Sequence, residues 1–88
     1  MRIKIVMPLH VYHAFLGRCA LPSREYAILR NSLIDHIADA RPTDWVQSLC
    51  AVADAKVILD HAHRVYPEAA PYIERSIDNY SIQAHEPA

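Results

Sequence analysis

TDWVQSLCAVADAKVILDHAHRVY, residues 43–66, is the longest run of the chain free of both proline and glycine. A run of this length without a breaker reads as one long helix. Trp45, Val46, Leu49, Val52 and Ala53 line one side of its first half, and Trp45 is expected in the core. Ala55, Ile58, Leu59, Ala62, Val65 and Tyr66 line one side of its second half. At about 100° per residue the two stripes point in nearly opposite directions. The surface helix of a monomer needs one stripe. Two imply a central helix, a bend near Asp54 to Lys56, or a second partner surface.

Towards the N-terminus, Ile3, Ile5 and Met7 alternate with Lys4 and Val6, the period of a short strand. No second strand is evident from the pattern, so this segment is either irregular or pairs with a copy of itself in another subunit. Pro8 suits the first turn of a helix over 9–18, with Leu9, Tyr12, Phe15, Leu16 and Cys19 on its apolar side. Gly17, the single glycine, is placed to cap that helix or to admit a close neighbour. Leu21-Pro22-Ser23 ends the element, and Ser23 is a natural N-cap for a helix over 24–40. Its stripe is Tyr26, Leu29, Leu33, Ile34 and Ile37, with Ile28 on the opposite side. Arg41-Pro42 is a break, after which Thr43 or Asp44 caps the long helix, Asp44 and Gln47 standing at capping-box spacing.

Pro67 closes the long helix, and Pro71 opens a last one reaching Gln83, with Ile73, Ile77, Tyr80 and Ala84 as its stripe and Tyr72 and Ile82 off it. No internal repeat or linker shows in the sequence. The predicted architecture is all-α: one domain over residues 1–88, a small antiparallel bundle of three to four helices with a short extended N-terminal segment.

The composition is 52% hydrophobic and 22% charged, which argues against disorder and leaves apolar groups over once a small core is filled. Net charge is −1, so bulk affinity for nucleic acid is not expected. Arg2, Lys4, Arg18, Arg24 and Arg30 nevertheless face only Glu25 within residues 1–30, and the remainder of the chain is acidic in balance. No run approaches the ~20 apolar residues of a membrane span. Pro8 and His10 interrupt any leader-like segment. Cys19 and Cys50 lack metal or redox spacing and read as buried free thiols of a cytoplasmic protein.

Leu21-Pro22-Ser23-Arg24-Glu25-Tyr26-Ala27-Ile28-Leu29 resembles the stretch that opens the first helix of response-regulator winged-helix domains. Those domains continue with a basic recognition helix and a hairpin wing. This chain continues with Asp44, Asp54 and Asp60, so the resemblance does not extend to DNA binding.

Six histidines invite a search for metal chemistry. His10 and His13, three apart on a helix, share a face and supply two imidazoles, short of a complete ligand set. His61 and His63 point apart on a helix, and with His36 they sit near helix C-termini, where a partly protonated imidazole meets the helix dipole favourably. No nucleophile–base motif is present, and one glycine excludes a phosphate-cradling loop.

The expected function is therefore a non-enzymatic protein–protein interaction module: an adaptor, inhibitor or regulatory subunit, and itself a homo-oligomer, a dimer in the simplest case. Arg18, Arg24, Ile28 and Arg30 are the expected partner surface, guanidinium forks around an apolar anchor that suit an acidic protein. Ile58, Leu59, Ala62 and Tyr66 are the expected oligomer interface. No catalytic residue, metal or cofactor is assigned. The alternatives are a nucleic-acid-binding regulator with a weakly basic face, and a metal or small-ligand site at His10 and His13.

Overall fold

The computed structural model describes the backbone of residues 2–36 and 44–85 and the side chains of 2–32 and 44–80. Strand β1 spans Arg2–Pro8 and runs directly into helix α1, Leu9–Arg18. Helix α2 spans Ser23–His36, strand β2 Trp45–Ala51 and helix α3 Val52–Val65. A 3-10 turn at Pro67–Ala69 leads into helix α4, Ala70–His85. The expected all-α bundle is therefore corrected: the fold is a mixed α/β one, with four helices around a two-stranded antiparallel sheet among the described residues. The expected long helix over 43–66 is a strand followed by a helix.

β1 finds its partner inside its own chain. The ladder pairs Arg2 with Ala51 through Pro8 with Trp45. Leu9 N–H extends it by donating to the Asp44 carbonyl at 2.7 Å. Asp44 thus serves the sheet and not a helix cap. Side chains alternate across the strands. Ile3, Ile5, Met7, Val46, Ser48 and Cys50 point to the buried inner face. Arg2, Lys4, Gln47, Trp45 and Leu49 stand exposed on the outer face. Tyr12 and Phe15 of α1, Leu29 of α2, Ala55, Ile58 and Ala62 of α3 and Ile73 of α4 join the inner face in one core.

The element order repeats: β1-α1-α2, then β2-α3-α4. Pro8 and Ala51 hold matching extended conformations at the two strand–helix junctions, φ −61° and −67°. The second helix of each unit packs on the strand of the other unit. α2 reaches β2 through Ser32 Oγ and Ser48 Oγ, 2.8 Å apart and buried. α4 reaches β1 where Val6 N–H donates to Ser76 Oγ at 3.1 Å, and Ser76 Oγ donates in turn to the Tyr72 carbonyl at 2.9 Å. Neither half is closed without the other.

Several side chains differ from expectation for the same reason. Trp45 is 51% exposed and meets Tyr72 edge-on, with ring centroids 5.8 Å apart. It lies on the outer strand face and not in the core. Ile58 and Ala62, expected at an oligomer interface, are fully buried in the chain's own core. The second apolar stripe is thus used internally. Ile28 is half-buried against the core, not exposed. Gly17 has no positive φ, and a Cβ there would meet nothing, so it neither caps α1 nor admits a neighbour. The expectations for Leu33, Ile34 and Ala84 as stripe residues, for Ile82 off the stripe, and for Ile37, Arg41, Pro42 and Thr43, lie outside what is described.

Phe15→Ala lowers stability by about 3–5 kcal/mol, the range for a buried large aromatic, whereas Trp45→Ala costs about 1 kcal/mol, the scale of one aromatic pair. Urea denaturation gives both values, and a reversed order would place Trp45 in the core. Ser48→Ala strands the Ser32 hydroxyl and costs about 1–3 kcal/mol, while the double change of Ser32 and Ser48 to Ala costs less than the sum of the two single changes.

Candidate interaction surface

The outer face of the sheet is the candidate site. α1 and α3 cannot cover it, because they join the core on the inner face. α4 borders it, bringing Tyr72 to Trp45 at one end. At the other end a cleft of about 340 Å³ opens between the sheet and α4, lined by Arg2, Lys4, Leu49, Ser76, Asn79 and Tyr80 among others. Lys4 lies directly across the ladder from Leu49, which is 52% exposed. Cross-strand neighbours sit about 5 Å apart at Cβ, so the ammonium and the isobutyl group share one surface. Neither strand contains an acidic residue. The arrangement can bind: it offers apolar area, two cations and an amide. A nucleophile held by a base is not part of it.

The arginines expected to form one patch are separated. The Arg18 guanidinium donates to the Ala14 carbonyl at 3.0 Å and lies 4.8 Å over the Tyr66 ring, at the C-terminal end of α3. Arg24 pairs at 3.2 Å with the nearly buried Asp54, in the first turn of α3. At 1.5 Å per residue, these two anchors are ~18 Å apart along α3. Arg30 is exposed farther along α2. Of the expected interface residues, Leu59 and Tyr66 are half-buried.

The histidines described by their side chains serve the fold or face solvent. His61 Nε2 accepts the Ala20 N–H at 3.1 Å, with its ring 6.5 Å from that of Phe15, and so ties the segment after α1 to α3. His63 Nε2 and Glu74 Oε1, 3.1 Å apart, link α3 to α4. Arg64 pairs with Asp60 one turn away on α3. His10 and His13 are exposed on α1. Among the described residues no group of three His, Cys, Asp or Glu is arranged to hold a metal ion. No described helix is long and apolar enough to cross a membrane.

Both cysteines are free thiols. Burial pushes the Cys19 thiol up from 9.0 to about 11. Burial, and then the Asp54 carboxylate, push Cys50 up from 9.0 to about 11. The folded state therefore favours the neutral thiols. Their contribution is complete below about pH 9 and is lost as pH rises through about 11. The expected outcome is a loss of stability in alkali that Cys50→Ala reduces, measured as the urea midpoint against pH. An unchanged alkaline profile in that variant would contradict the assignment.

Sequence reasoning missed the outer face. The available signal was that Arg2 and Lys4 occupy the positions alternate to Ile3 and Ile5, so both cations must share one face of any strand. No family model, curated protein or solved structure matches the chain.

Proposed function

We propose that the chain is a small protein–protein interaction module without catalytic chemistry, acting in the cytoplasm as an adaptor, inhibitor or regulatory subunit, with the outer face of the sheet as its contact surface. The exposure of Trp45 and Leu49 on one strand face is the observation that carries this reading. Large apolar side chains left in water on one face, Leu49 directly across the ladder from Lys4, are the composition of a contact surface. Tryptophan and arginine are the residues most enriched among those that dominate binding energy. The free thiols Cys19 and Cys50 support a reducing compartment.

The acidic partner expected from the charge balance remains part of the reading, and its address moves from Arg18, Arg24, Ile28 and Arg30 to the face that carries Arg2 and Lys4. Stacking two copies face to face would set these cations against each other, which disfavours a dimer built there. Self-association retains Leu59 and Tyr66 as candidates. It is tested by sedimentation at tens of micromolar: a species heavier than one chain that Leu59→Glu disperses without loss of helical signal supports it.

The contact surface is tested by placing a photoreactive residue at the exposed Gln47, cross-linking in the native cell, and measuring the affinity of the recovered partner. The double variant Trp45→Ala, Leu49→Ser is expected to bind at least about ten-fold more weakly, a loss of 1.4 kcal/mol or more, with an unchanged far-ultraviolet spectrum. Equal affinity in the folded variant would overturn the proposal.

A further inference from the structure

We infer that the cleft between the outer sheet face and α4 receives an acidic, apolar segment of a partner protein, a carboxylate side chain settling between Arg2 and Lys4 and an aliphatic one against Leu49. This rests on the interaction reading and adds the chemistry of the occupant. Arg2 and Lys4 occupy alternate positions of β1, so their Cα atoms are ~7 Å apart on one face. That spacing lets both reach one carboxylate or two neighbouring ones. Neither cation has an ion pair among the described residues. Of the α4 carboxylates described, Glu74 is engaged with His63 of α3, and neither it nor Asp78 lines the cleft. Among the described residues that line it, the cleft therefore presents positive charge with no counter-charge, and an acidic segment supplies it.

The remaining lining fits a peptide better than a nucleic acid. The Asn79 amide offers two donors and an acceptor, the pairing that a peptide backbone requires. Leu49 offers an aliphatic wall where a phosphate backbone would bring only charge. Two cations on a chain of net charge −1 cannot follow a phosphate track, which is normally held by several Lys and Arg contacts. The volume of about 340 Å³ is at the small end of binding sites, suited to a few side chains and too small for a base-stacking platform of several nucleotides.

The test uses the full chain and two fluorescent, end-blocked peptides in anisotropy titrations: one alternating Glu and Leu, the other with every Glu replaced by Gln. A single-stranded oligonucleotide serves as the third probe. The acidic peptide is expected to bind at about 50 mM salt and to weaken at 150 mM, as screening of exposed charges requires. The Gln peptide is expected to bind at least about ten-fold more weakly. Lys4→Glu and Arg2→Glu, both at exposed positions, are each expected to lower affinity for the acidic peptide while leaving the thermal midpoint within a few degrees. A Lys–Leu peptide is expected to prefer the Lys4→Glu variant over the native chain.

No binding of the acidic peptide up to millimolar concentration, equal binding of the Gln peptide, or tighter binding of the oligonucleotide would each overturn the inference. The two readings fail separately. A cross-linked partner whose affinity depends on Trp45 and Leu49 but not on Arg2 and Lys4 overturns the acidic occupant and keeps the contact surface. One that depends on none of the four overturns both.

Discussion

The antiparallel ladder between Arg2–Pro8 and Trp45–Ala51 is the constraint on which the rest of the molecule depends. A two-stranded sheet is at best marginally stable by itself in water. Here it persists because its inner face is buried by side chains from all four helices. Ile5 and Ser48 form the middle pair of the ladder, and both are almost wholly removed from solvent. A serine at that position costs little only because Ser32 of α2 supplies a partner for its hydroxyl. The ladder is thus both the frame on which the helices pack and a structure that those helices make possible.

The repeated β-α-α order explains how so short a chain closes a core. α1 and α3 leave their strands without a loop, since Pro8 and Ala51 are already extended and the next residue is helical. α2 and α4 then return to the opposite strand. The two serines that mediate these returns, Ser32 and Ser76, are both buried, and so are Leu29 and Ile73 on the same helices. Val6 N–H would otherwise be an open donor at a strand edge, the kind of group that invites pairing with another chain. Ser76 Oγ satisfies it from within.

A two-layer arrangement of this size spends one sheet face on the core and leaves the other to water. In the proposed reading, that division separates stability from binding. The inner face is apolar apart from the paired Ser48, whereas the outer face carries Trp45, Leu49, Lys4 and Arg2. Changes on the outer face therefore alter contacts more than folding. Two arginines remote from the sheet have structural work: Arg18 stacks on Tyr66 and Arg24 neutralises Asp54. An unpaired Asp54 at 8% exposure would be costly.

Much of the fold is legible from local pattern. The alternation of Ile3, Ile5 and Met7, the helix over 9–18 that Pro8 initiates, and the final helix after Pro67 all depend on neighbours close in sequence. β2 is different. In Trp45, Val46, Leu49, Val52 and Ala53 the apolar positions match a helical stripe, because two of them face water on the outer side of a strand and a buried position holds Ser48. The alternation of Val46, Ser48 and Cys50 becomes meaningful only when β1 lies beside it and Ser32 accepts or supplies the hydroxyl proton. Those partners come from elsewhere in the chain, and no local period records them. The same holds for the site: proximity in sequence gathers Arg18, Arg24 and Arg30, whereas packing sends two of them to opposite ends of α3 and joins Arg2 and Lys4 to Leu49. Local sequence sets which segments are periodic and where they break. Long-range pairing decides which period is used and which apolar groups remain in water.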